Sequence, residues 1–211
     1  MAVATRSSSK TPPSKSSSAM TTFTHAPSGL SLFWLALSLP LVVWDCGYVL
    51  MRPRTMPGGD LHWPLWVPYK LYGEVDYVYG WKSFNARNGF TSAQGLLNVV
   101  ETLMYGYYAW SWYSNGRQVA GKGKVLVGKQ AGVAMLVAFT AAAMTLSKTV
   151  LYWLCEYYSG FDNIGHNAPL DLLYLWIIPN GAWLVFPVFM LAELGSELVN
   201  GLDIGADLKE E

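Results

Sequence analysis

The chain has 211 residues, of which 52% are hydrophobic and only 13% charged, against about 25% charged in an average soluble domain. Fourteen basic residues balance fourteen acidic ones, so global charge argues against a nucleic acid or other polyanion as partner. Two cysteines, Cys46 and Cys155, and three scattered histidines, His25, His62 and His166, show no metal-ligand spacing. Neither a metal nor a cofactor is expected.

Residues 1–28 are rich in Ser, Thr and Pro. Such a segment buries too little apolar surface to order itself, and is expected to be a disordered tail. It holds no apolar h-region of a secretory signal.

The rest of the chain, residues 29–195, reads as one all-α membrane domain, a bundle of four transmembrane helices. The spans fall at about 30–51, 92–113, 131–154 and 169–192. Each has roughly the 20 apolar residues needed to cross a bilayer. Span one contains Pro40 and, in its second half, Asp45. The connection 52–91 carries four prolines, the pair Gly58-Gly59 and the aromatic clusters Trp63-Pro-Leu-Trp66 and Tyr77-Val-Tyr-Gly-Trp81. A connection of this length is expected to be functional, such as an interfacial lid.

In span two, Asn98, Glu101, Tyr105, Tyr108 and Trp112 share a face at helical spacing. A carboxylate inside a span marks a functional site by default. Span three begins with small residues suited to close packing and then aligns Thr145, Lys148 and Tyr152 on one face. Span four carries Asn180 and Trp183 between Pro179 and Pro187, and residues 196–211 form a short acidic tail. Lys and Arg number three, four and one in the amino tail, second loop and carboxyl tail, against five and none in the first and third loops. This balance favours both termini in the cytoplasm.

With alternating directions, Asp45, Lys148, Glu101 and Asn180 lie roughly 9, 9, 14 and 16 Å below the non-cytoplasmic helix ends. A shared depth predicts one polar, aromatic-lined chamber within the membrane. Acid–base movement of a double bond needs a proton donor, an acceptor and a surround that stabilises a carbocation. Glu101, protonated, is the expected donor, and Asp45, paired with Lys148, the expected acceptor. Trp183 and the tyrosine stripe (Tyr105, with Tyr152 opposite) offer ring faces to a cation, and Asn180 and Asn98 offer hydrogen bonds to a substrate hydroxyl or a carboxyl. Asp45 with Lys148 as a structural ion pair, and Asn180 as interhelical glue, are the plainer readings of the same residues.

Four short motifs occur in order: Glu101-Thr102, Val150-Leu-Tyr-Trp-Leu-Cys-Glu156, Ile164-Gly-His166 and Asn180-Gly-Ala-Trp183-Leu-Val-Phe-Pro187. Together they resemble the emopamil-binding protein family, the bearers of the EXPERA domain, over roughly residues 30–195. The family includes Δ8–Δ7 sterol isomerases and the sigma-two receptor. The resemblance implies a sterol site at Glu101, Asn180 and Trp183, with Leu41 standing where the isomerases carry a His. It implies the endoplasmic reticulum, and a sterol or terpenoid lipid and the bilayer as partners; a homodimer stays open. The expected function is an isomerase-like enzyme shifting a double bond or closing a ring. The alternative is a non-catalytic sterol- and amine-binding or lipid-handling protein.

Overall fold

In the computed structural model, which describes residues 22–210 (the last eight by their backbone alone), the described residues form seven α-helices and a small sheet. In chain order these are β1 (Thr24–His25), α1 (Gly29–Leu50), α2 (Pro68–Val75), α3 (Trp81–Asn85), α4 (Phe90–Asn115), β2 (Arg117–Val119), β3 (Gly123–Val127), α5 (Lys129–Tyr158), α6 (Pro169–Leu172) and α7 (Ile178–Glu210). A π-helical turn, Leu173–Ile177, joins α6 to α7.

Among the described residues, three helical segments, Gly29–Leu50, Lys129–Tyr158 and Pro169–Leu202, are long and apolar enough to cross a membrane. At 26 residues α4 matches them in length, but Gln94, Asn98, Glu101 and its tyrosines lower its hydropathy. Of those groups, Glu101, Tyr105 and Tyr108 face the bundle and are buried, while Tyr107 and Tyr113 are exposed with Leu96, Leu103 and Trp110. Many other large apolar side chains on α1, α5 and α7 are likewise exposed, the inverse of a water-soluble bundle.

The long helices pack in the order α1, α4, α5, α7, each against the next, and α1 meets α7 only sparingly. Small residues let them approach. On α5, Ala131, Ala134, Ala138, Ala141 and Ala142 are fully buried. Gly95 of α4 lies under α1, where an added Cβ would stand 2.9 Å from Val49 Cγ1. One core cluster joins Trp34, Tyr108, Met135, Met190 and Leu194 in the half of the bundle nearer the amino end of α1.

Two sequence expectations are corrected. Residues 22–28, read as part of a disordered tail, are ordered: Thr24 and His25 pair antiparallel with Val127 and Leu126 of β3, in a sheet of order β1-β3-β2. The buried His25 ring bonds to Tyr108 Oη (2.8 Å) and Glu197 Oε2 (2.7 Å), and the Ser28 and Ser31 hydroxyls donate to Glu193. These bonds tie the segment to α4 and α7. The portion of that tail in 1–21 lies outside the described residues. At the other end α7 does not stop near residue 192 but continues as helix to Glu210.

The connection between α1 and α4 is structured. Helix α2 starts at Pro68, where a proline suits the first turn, and α3 starts after Gly80. Gly73 and Gly80 press together so closely that a Cβ on Gly80 would sit 2.5 Å from the Gly73 carbonyl oxygen.

Candidate functional site

A cavity of about 420 Å³ lies between α1, α4, α5, α7 and α2, within the usual range for small-ligand sites. Helix α1 contributes Leu41, Trp44 and Asp45; α4 contributes Gln94 and Asn98; α5 contributes Lys148, Thr149 and Tyr152. Pro179, Asn180 and Trp183 come from α7, and Tyr69, Leu71, Tyr72 and Tyr79 close the cavity from the connection.

Asp45 is the one carboxyl among the cavity's described lining residues. Its Oδ1 accepts a 2.6 Å bond from Tyr69 Oη, and its Oδ2 a long 3.5 Å contact from Asn98 Nδ2. Aromatic rings surround it. Tyr69 stacks on Tyr48 at 3.8 Å and leans on Trp44 at 4.8 Å, and Tyr72 meets Tyr79 edge-on at 4.9 Å.

Lys148 does not pair with Asp45, as the depth argument expected. Its ammonium sits 2.9 and 2.8 Å from the two oxygens of Glu101 and also donates to Asn98 Oδ1. The pair is secluded, the side chains being 10% and 5% exposed. Thr145 Oγ1 adds a 2.8 Å bond to Glu101 Oε2 and lies 3.4 Å from Tyr105 Oη. The physical reason is helix order: α4 stands between α1 and α5, so its carboxylate intercepts the α5 cation. Glu101 and Tyr105 therefore do not line the large cavity. They border a separate void of about 20 Å³ beneath it, with Ser38, Thr102 and Trp34. Asn98 joins the two compartments, since it touches Asp45 on one side and Lys148 on the other.

The opposite wall was not anticipated. Asp76, fully buried in the connection, accepts bonds from Tyr152 Oη and from Trp176 Nε1 at 2.9 Å, and its Oδ1 accepts the Val78 N–H at 2.9 Å. Burial pushes its pKa up to about 7, opposed by the Val78 and Trp176 donors and reinforced by nearby Glu156. Tyr152 thus presents its ring to the cavity while its hydroxyl is consumed behind the wall. The π-helical turn aims Trp176 at Asp76; Pro179 just after it has no N–H to continue a regular ladder. Asn180 Nδ2 caps the Trp176 carbonyl at 2.9 Å and reaches Tyr72 Oη at 3.4 Å.

His166 stays outside the cavity. Its ring stacks flat on Tyr77 at 4.0 Å and its Nε2 donates to the Glu74 carbonyl, pinning one loop to the other. The signals for the missed residues were slight: an isolated Asp in an aromatic run, and tyrosines that read equally well as interfacial anchors.

No family model, curated protein or solved structure matches the chain.

Proposed function

We propose that the chain is a four-span membrane protein of the EXPERA type, and that its cavity works as an isomerase-like enzyme on a sterol or terpenoid. The observation that carries this is the placement of Asp45: a single carboxyl facing an apolar cavity walled by Trp44, Tyr69, Tyr72, Tyr79 and Trp183. In this reading α4 is the fourth span, its polar stripe turned inward. Both termini face the cytoplasm, the Tyr69 side faces the lumen, and the membrane is that of the endoplasmic reticulum.

The chemistry balances with one carboxyl. Protonated Asp45 gives its proton to an alkene carbon, leaving a carbocation among the ring faces, which stabilise it as they would any cation. The C–H electrons of the adjacent carbon form the new double bond, and that proton returns to the Asp45 carboxylate. No group is consumed. Attack of a second alkene on the same cation would close a ring instead. Glu101 takes a positioning role in place of the donor role: it holds Lys148, Lys148 holds Asn98, and Asn98 and Tyr69 hold the Asp45 carboxyl. Asn180 and Tyr72 are placed for a substrate hydroxyl.

A second reading is favoured by the same solitary carboxyl. An aromatic box around one carboxylate is also a recognition site for an ammonium group, and a binder of sterols or amphiphilic amines needs no second acid–base group.

The test is incubation of membranes bearing the protein with a Δ8 sterol in deuterated water, beside Asp45→Asn. The enzyme reading expects a shifted double bond with deuterium on the product, and a loss of roughly 10²–10⁴-fold in the variant. Recovery of bound, unshifted and unlabelled sterol would reject it in favour of the binder.

A further inference from the structure

The segment Trp63–Leu71 sits in an unexpected place. It hangs from α1 well below that helix's end. Trp44 Nε1 donates to the Leu65 carbonyl at 2.9 Å, Trp66 Nε1 donates back to the Trp44 carbonyl at 3.2 Å, and Tyr69 Oη reaches Asp45. Trp44 is six residues before the end of α1 at Leu50, which is about 9 Å along the axis. The segment therefore reaches the depth of the acyl chains rather than lying over the bundle in water.

Its outward side chains suit that depth. Trp63 is 78% exposed, Leu65 61% and Leu71 54%, and they continue the exposed apolar surface of α1, where Leu41 and Val43 are 42% and 57% exposed. Backbone at such depth is tolerated only if its polar groups are satisfied without water. Pro64 and Pro68 have no N–H to satisfy. Three N–H groups are bonded within the protein, Trp66 N–H to His62 O, Tyr69 N–H to Trp66 O and Lys70 N–H to Val67 O, and the Leu65 carbonyl is taken by Trp44. The segment's one charge is Lys70, and a lysine stem is long enough to carry its ammonium to the interface.

We propose that Trp63–Leu71 is a re-entrant segment seated among the acyl chains of the non-cytoplasmic leaflet. It forms one rim of the lateral mouth where α1 and α7 stand apart. A hydrophobic ligand then passes from that leaflet into the cavity over Leu71 and Leu41 without crossing water. This rests on the membrane reading above.

The experiment places a nitroxide on the full chain in phosphatidylcholine nanodiscs, in a Cys46→Ala/Cys155→Ala background. Three sites are compared: Leu65→Cys, Val43→Cys on the exposed face of α1, and Asp60→Cys in the exposed Arg54–Asp60 pair. The expected result is that the label at 65 is broadened by oxygen and shielded from a water-soluble nickel chelate, as at 43 and opposite to 60. Nickel access at 65 with shielding at 43 overturns the proposal and leaves the membrane reading intact. Protection at 65 from both reagents means a protein partner covers the segment, and also overturns it. Nickel access at 43 overturns the membrane reading itself. With the native cysteines kept, Leu65→benzoylphenylalanine is expected to photocrosslink to phospholipid; adducts to protein alone would refute the proposal.

Discussion

Replacing Lys148 by Met removes the cation from a carboxylate that has little else to hold it. Glu101 would keep Thr145 Oγ1 at 2.8 Å and lose both 2.8–2.9 Å bonds to the ammonium, at a place where its side chain is 5% exposed. Breaking one side of so buried a pair costs about 3–5 kcal/mol, because the charge left behind has no counter-ion and only one hydroxyl in place of water. At about 2–4 °C per kcal/mol for a chain of this size, the unfolding midpoint should fall by roughly 6–20 °C. Glu101→Gln should also destabilise, by stranding Lys148. The double variant removes both charges, and replacing a whole buried pair by uncharged side chains is often close to neutral. The assay is thermal unfolding of the four proteins in one detergent, read as a double-mutant cycle. A coupling of about 2 kcal/mol or more is expected. Neutral polar contacts between membrane helices couple by only about 0.6 kcal/mol. A coupling of that size, or a double variant as unstable as the sum of the singles, would refute the reasoning and free Glu101 for the donor role.

Asp76 gives a pH dependence. Its folded pKa of about 7 stands above the ordinary 3.8, so the folded state holds its proton more tightly; that stabilisation is full below about pH 4 and lost as pH rises through 7. The wild-type midpoint should therefore drop between pH 5.5 and 8, and Asp76→Asn should flatten the profile; equal slopes would reject the assignment. Gly95→Leu drives a side chain into Val49 and should cost about 1–3 kcal/mol by overpacking, seen as a lower midpoint. His25→Ala strands the buried Tyr108 hydroxyl and one bond of Glu197, for about 1–3 kcal/mol; Tyr108→Phe added to it should cost little more, since its partner is already gone.

The face a helix turns inward was legible in the sequence, and the order of the helices around the bundle was not. Counting residues placed Asp45 and Lys148 at one level and so suggested them as partners. Their pairing depended on which helices are neighbours, and nothing in a one-dimensional pattern orders α1, α4 and α5 around an axis. The inward stripe of α4 was legible, because Asn98, Glu101, Tyr105 and Tyr108 repeat with the helical period and have no reason to face lipid. The strand Thr24–His25 was not, because its pairing with Leu126 and Val127 lies a hundred residues away and a two-residue strand has no period to detect. Asp76 lay in a connection without periodicity, where an acid signals nothing until its three donors are seen. The misplacement of Lys148 has a chemical consequence. With that cation bound to Glu101, the group that orients the Asp45 carboxyl is Tyr69, and Tyr69 belongs to the connection rather than to a span. The connection is thus part of the site's polar chemistry as well as its cover, and lifting it would take a hydrogen bond from Asp45 in the same movement that opens the cavity.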